Sequence, residues 1–223
     1  MKINEIWLQT AHLQDQTYFY QNVLGLELRD CTATSSTFRV GESILHFNLD
    51  ATATSYHFAI NIPSNKIHEA HMWAKSRVQI LPDGDDEILD FRSWNAEAIY
   101  FYDKDHNIVE LIARKNLKND SNHTFGPKQF LEISEIGTAT ANIERLYNVF
   151  SQEAGLRIYD GSFERFCAIG DEHGLFICIN KDIKKWIPND DAAHASRFRL
   201  LMQQKASVFE VNYGNELLTV KKA

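Results

Sequence analysis

Four short stretches of this chain each set one residue able to bind a metal or move a proton into an otherwise apolar, strand-like run. Successive side chains of a strand point to opposite faces. Ile6 and Leu8 therefore leave Glu5, Trp7 and Gln9 on the other side. By the same parity Leu45, Phe47 and Leu49 oppose Ile44, His46 and Asn48, and Phe58, Ile60 and Ile62 oppose His57, Ala59 and Asn61. Val109 and Leu111 oppose Ile108 and Glu110. Imidazole and carboxylate serve as ligands for borderline divalent ions and as general acids and bases. A carboxylate facing inward requires a partner, because burying it unpaired is costly.

Other chemistry-bearing groupings read as solvated. In His68-Glu69-Ala70-His71 the histidines stand three apart, whereas a metalloprotease helix needs them four apart. Asp83-Gly84-Asp85-Asp86-Glu87 lacks the twelve-residue pattern of a calcium loop. Cys31, Cys167 and Cys178 form no CxxC pair and suit a reducing compartment. The Asn122-His123-Thr124 sequon is read as idle, since the opening MKINEIWLQT shows no signal sequence. No transmembrane run is visible, so a cytoplasmic location without membrane partners is expected. The 223 residues are 44% hydrophobic and 24% charged, an ordinary globular composition, and the net charge of −7 argues against nucleic-acid binding by a broad basic face.

The elements that must carry these residues repeat along the chain. Ile3-Asn4-Glu5-Ile6 is echoed by Ile133-Ser134-Glu135-Ile136. Glu5 precedes Gly25-Leu26 by the same 20 residues that separate Glu135 from Gly155-Leu156. Each copy reads as strand, helix, then strands. The first has a strand over 3–9, a helix over 13–24 stopped by Gly25, and strands at 26–29, 36–40 and 44–49. The second module starts near Tyr56. Its helix runs from about Asn65 to Lys75, capped by Ser64 or Asn65, and its strands fall at 78–80, 87–91, 98–102 and 108–113. A third module spans 131–180. A shortened fourth has strands near 197–203, 207–213 and 216–221 and little room for a helix. The polar stretch 115–128 reads as a linker, dividing the chain into 1–115 and 129–223.

Phe19-Tyr20-Gln21-Asn22-Val23-Leu24-Gly25-Leu26 and Phe101-Tyr102-Asp103-Lys104-Asp105-His106-Asn107-Ile108-Val109-Glu110-Leu111 resemble the first-helix ending and the final turn and strand of the vicinal oxygen chelate superfamily. That superfamily holds glyoxalases, bleomycin- and fosfomycin-resistance proteins and extradiol ring-cleaving dioxygenases. Lys104 and His106 stand where its usual Pro and Gly would be. The resemblance implies an α+β fold of tandem βαβββ modules forming curved mixed sheets. It also implies a divalent metal ion (Zn, Ni, Co, Mn or Fe(II)) held by Glu5, His46, His57 and Glu110. Glu5 would double as proton shuttle and Tyr100 or Tyr102 as acid or hydrogen-bond donor, with Trp7, Gln9, Asn48 and Asn61 contacting substrate. The metal site would lie in 1–115. The 129–223 half would be a degenerate copy without a metal site, because the His57 position falls near Arg197 and Glu216 is a weak match for Glu110. The implied function is metal-dependent isomerase or lyase chemistry of glyoxalase type on a small oxygen-chelating substrate, in a monomer or homodimer. The alternatives are Fe(II) ring cleavage by His46, His57 and Glu110, or metal-free drug sequestration.

Overall fold

The computed structural model describes residues 1–223. Module one is β1 (Lys2–Thr10), α1 (Leu13–Tyr18), β2 (Glu27–Cys31), β3 (Ser35–Val40) and β4 (Ser43–Leu49). Its helix widens into a π-helical turn over Phe19–Val23 before stopping at Gly25, whose φ of +70° suits a residue without a Cβ. Module two is β5 (His57–Ile62), α2 (Ile67–Lys75), β6 (Leu89–Phe91), β7 (Ala96–Tyr102) and β8 (Ile108–Arg114). The third is β9 (Glu132–Thr140), α3 (Ile143–Ala154), β10 (Ile158–Gly161), β11 (Phe166–Asp171) and β12 (Gly174–Asn180). The shortened fourth keeps β13 (Phe198–Gln204), β14 (Ser207–Gly214) and β15 (Leu217–Lys222), and has no helix.

The strands form two mixed sheets. One runs β15-β14-β13-β1-β4-β3-β2 and the other β10-β11-β12-β9-β5-β8-β7-β6. Module one therefore shares a sheet with module four, and module two with module three. The sheets do not follow the division into 1–115 and 129–223: each draws strands from both halves. Every module leaves one edge of its first strand unpaired, and unpaired backbone N–H and C=O groups must find partners. Here β13 covers β1 and β9 covers β5, both antiparallel. The stretch between the halves is docked rather than loose. Ser64 N donates to Asn119 Oδ1 at 2.9 Å, Asn65 Nδ2 bonds Ser121 O, and Phe125 is buried. The oxygens read as caps of α2 are used here as well: Ser64 Oγ donates to Asp120 Oδ1 and Asn65 Oδ1 accepts from Ser121 N at 2.9 Å, and α2 begins at Ile67 without a side-chain cap.

An apolar cluster of 46 buried residues joins one face of each sheet to the three helices. A second cluster of 14 covers the opposite face of the eight-stranded sheet. On that face the register sets up a row. Ala59 on β5 lies opposite Glu110 on β8 and also opposite Glu135 on β9, while Tyr100 on β7 lies opposite Glu110. His57, two positions before Ala59, points the same way. No helix is long and apolar enough to cross a membrane.

Because β1 and β5 are each completed by a strand from beyond residue 128, residues 1–115 produced alone are expected to be unfolded or aggregated. Co-production with 116–223 should restore a cooperative thermal transition. A fragment 1–115 that is monomeric and melts like the whole chain would contradict the strand order.

Candidate metal centre

The row across β8, β5 and β9 gathers three donors. His57 Nε2 lies 3.5 Å from Glu110 Oε2 and 3.9 Å from Glu135 Oε2, and the candidate ligand atoms of all three residues lie within 4.8 Å of one another. All three are buried. The methyl group of Ala59 between the two glutamates leaves the space in which their carboxylates converge. His57 Nδ1 is 3.3 Å from the Ile108 carbonyl, which can only accept, so Nδ1 carries the proton and the Nε2 lone pair faces the carboxylates.

Arg114, four residues after Glu110 on the same face of β8, is fully buried and donates from Nη2 to Glu135 Oε1. Its Nε donates to Asn61 Oδ1 at 3.2 Å, its guanidinium lies over Trp94 at 5.4 Å, and its Nη1 has no partner. Asn61 in turn donates to Glu132 at 3.1 Å, and Glu132 meets His173 Nδ1 at 2.8 Å near the surface. The guanidinium thus fixes Oε1 of Glu135 and leaves Oε2 toward His57.

Charge in this pocket does not balance by itself. Burial pushes the Glu110 carboxyl well above its ordinary value, Glu135 pushes it further, and Arg114 opposes. Glu135 is also raised by burial, against the pull of Arg114. Burial lowers His57 to about 4, so its imidazole is neutral near pH 7, and burial raises Tyr100 well above the usual phenol range. One guanidinium stands against two buried carboxylates, so burial and their mutual repulsion favour the protonated form of one of them. A divalent cation would supply the missing positive charge, and one imidazole with two carboxylates is a donor set such ions accept. The residues therefore fit a metal ion.

The donors lie in a cavity of about 460 Å³. Its walls are aromatic: Tyr100, Phe91, Trp94 and Phe166 on the strands and their connections, and Trp186 from the segment between β12 and β13. The Trp186 ring centroid is 5.0 Å from that of His57. Its ring also fills the space a Cβ on Gly137 would need, coming within 2.8 Å of it.

No family model matches this sequence, and no curated protein matches it. Among solved structures, a Bacillus subtilis (subsp. subtilis, strain 168) protein provisionally named a dioxygenase matches all of this chain and 84% of its own, at 14% identity and a TM-score of 0.64. The chain has the vicinal oxygen chelate fold. Single-unit structures of that fold match about half of the chain. A glyoxalase/bleomycin resistance protein/dioxygenase from Nocardioides is 19% identical, covering 56% of this chain and 88% of its own with a TM-score of 0.42. The fosfomycin resistance protein of Listeria monocytogenes, solved as a point mutant with Mn(II) and a dihydroxypropylphosphonic acid, is 22% identical over 51% of this chain and 90% of its own, with a TM-score of 0.41.

In this version of the fold the four expected ligands divide into two pairs. His57 and Glu110 meet in the eight-stranded sheet. Glu5 and His46 meet in the seven-stranded one, at 3.2 Å, with Thr37 on the other side of His46. There Trp7 stacks on His46 at 4.4 Å and Arg199 covers Trp7. Glu5, His46, Trp7, Gln9 and Asn48 do not line the cavity that holds His57, because module one pairs with module four and not with module two. Asn61 is fully buried and holds Arg114, Glu132 and the Glu172 carbonyl, so it braces the site rather than facing substrate. Tyr100 lines the cavity. Tyr102 bonds Asp191 at 2.5 Å. The half expected to lack a metal site contributes Glu135 and Trp186. For Glu135 the signal is its position as the repeat of Glu5; Arg114 shares the parity of Glu110 but falls one residue past the strand read over 108–113, and Trp186, in an irregular segment, has no periodic signal.

Two outcomes follow from this charge arrangement. Arg114→Met strips Glu135 of its counter-cation and is expected to cost about 3–5 kcal/mol of stability in urea unfolding of the metal-free protein. Between about 4 and 6.5 the depressed His57 makes stability rise with pH, while the raised Glu110 makes it fall from its ordinary 4.5 upward. Above about 6.5 only the carboxyl contribution remains, so the metal-free protein should lose stability with rising pH until Glu110 has ionised. Melting curves taken upward from about pH 4.5 should fall less, or rise more, for Glu110→Gln than for the natural protein, since both keep the His57 contribution. Equal slopes would place the surplus proton elsewhere.

Proposed function

We propose that this chain is a metal-dependent enzyme acting on a small substrate that presents neighbouring oxygens, with His57, Glu110 and Glu135 as its protein ligands. The observation that carries the reading is the convergence of those three buried donors at one cavity with a single counter-cation between two carboxylates. When bound, the ion would supply Lewis-acid stabilisation of negative charge developing on a substrate oxygen.

The chain's own residues have separable tasks. His57 presents Nε2, with Nδ1 held by the Ile108 carbonyl. Glu135 is fixed by Arg114 and serves as an anchor. Glu110 is not held by Arg114, so of the two carboxylates it is the one free to leave the ion, take a proton from carbon and return it. This role, expected of Glu5, moves to Glu110. Tyr100, kept protonated by burial beside Glu110, can donate a hydrogen bond to it or to a substrate oxygen. The aromatic walls exclude water. Proton transfer next to a carbonyl favours isomerase or lyase chemistry of glyoxalase type. Ring cleavage by a triad of His46, His57 and Glu110 is disfavoured, since His46 stands in the other sheet. Metal-free drug sequestration is disfavoured by the cost of burying two carboxylates with no binding task.

Elemental analysis of protein purified without chelator is expected to find one divalent ion per chain. His57→Ala and Glu135→Gln should each lower metal affinity by at least about 100-fold, whereas Glu5→Gln and His46→Ala should leave it within about threefold. No metal uptake at millimolar Zn(II), Mn(II) or Fe(II), or loss on changing His46 alone, would overturn the assignment. Formation of a yellow ring-cleavage product from catechol with Fe(II) in the presence of O2, absent without O2, would instead favour a dioxygenase.

A further inference from the structure

The mouth of the cavity has a charge of its own. Arg165, at the start of β11, and Lys184 and Lys185, just before Trp186, all line it. The chain as a whole carries 30 acidic and 23 basic residues. Yet none of these three cations takes part in the molecule's ion pairs, which engage five other lysines (Lys2, Lys66, Lys75, Lys115, Lys181) and the arginines Arg29, Arg92, Arg114 and Arg199. Of the carboxylates lining the cavity, Asp160 stands nearest the surface, and it already accepts from Trp94 Nε1 at 2.6 Å and from Gly161 N at 2.7 Å. Lys184 is held below its ordinary pKa by burial and by Arg165, with Asp190 only partly compensating. Three cations have thus been brought together with no ion pair among them and with only Asp190 near enough to offset Lys184 in part.

Their place is fixed by the same segment that covers the metal ligands. Trp186 N bonds Asp191 O at 2.9 Å, the return bond is 3.1 Å, and the Asp191 side chain is tied to Tyr102 of β7. Trp186 then packs on His57 while the preceding lysines face the opening. Between them and the donors lie the apolar, aromatic walls.

We propose that the cavity selects planar, largely apolar substrates that carry an anionic group (carboxylate, phosphate or sulfonate), with Arg165 and Lys184 as the anion-recognising pair and Lys185 adding to their field. The inference rests on the reading of this cavity as the substrate site, and it extends that reading to the part of the substrate that does not react. The apolar body would lie against Trp94, Phe166 and Trp186, with its anion at the mouth. Charge-assisted hydrogen bonds of this kind are roughly twice as strong as neutral ones.

A matched pair of fluorescent probes tests this without knowledge of the reaction: 8-anilinonaphthalene-1-sulfonate and N-phenyl-1-naphthylamine, which share a skeleton and differ in the sulfonate. The sulfonate is expected to bind at least about tenfold more tightly than the neutral amine. The variant Arg165→Gln/Lys184→Gln should abolish that preference while leaving the neutral probe within about twofold and the melting curve unchanged. Raising salt from about 50 to 500 mM should weaken only the sulfonate. Displacement by benzoate, phenyl phosphate and benzenesulfonate ranks the anions, and benzyl alcohol and inorganic phosphate should displace poorly. Equal affinity for the two probes, no binding up to about 1 mM, or a preference untouched by the double variant would overturn the proposal. The metal assignment fails independently: His57→Ala should remove the ion and keep the probe preference. Should the protein take up no metal at all, the preference still decides the anion subsite.

Discussion

Antiparallel pairing of β5 with β9 is the contact on which the site depends. It places Ala59 opposite Glu135, and the parallel pairing of β5 with β8 places the same alanine opposite Glu110. Two carboxylates from distant parts of the chain thereby flank one methyl group. A bulkier side chain at 59 would occupy the gap in which they converge. A slip of one residue in either pairing would turn a glutamate to the far face. Nothing local to His57 or Glu110 could assemble the group without that strand contact.

The same contact creates an electrostatic demand. Two acids and an imidazole share a space with one guanidinium, and the guanidinium is fully sequestered. Natural cores tolerate buried ions only when they are paired and hydrogen-bonded. Here the bracing runs outward through Asn61 and Glu132 to His173, so the position of Arg114 is set by a continuous polar path. That path ties the geometry of Glu135 to residues of β5, β9 and the β11–β12 turn.

Much of this was legible in the residue pattern. The period-two alternation around Glu5, His46, His57 and Glu110 identified four strands and the face each polar residue occupies, and the 20-residue spacing in both halves exposed the modules. Glu5 and His46 do meet, across adjacent β1 and β4. What alternation cannot state is which open strand edge joins which, because every module presents an equivalent one. Pairing 1 with 4 and 2 with 3 satisfies the backbone as well as pairing 1 with 2 would, yet it exchanges Glu5 for Glu135. Trp186 was hidden for another reason: it sits in an irregular segment whose position follows from Tyr102 and Asp191, not from any local periodicity.

The nesting of modules two and three inside modules one and four has a further consequence, for the order in which the protein can form. During synthesis β1 emerges first, but its antiparallel neighbour β13 begins only at Phe198. The inner sheet can be completed once β12 has appeared, whereas the outer sheet must hold an unsatisfied edge on β1 until β13 has been made. Contacts of such long sequence separation slow folding and prolong exposure of strand edges. The nascent chain would therefore bring His57, Glu110 and Glu135 together before it closes its frame.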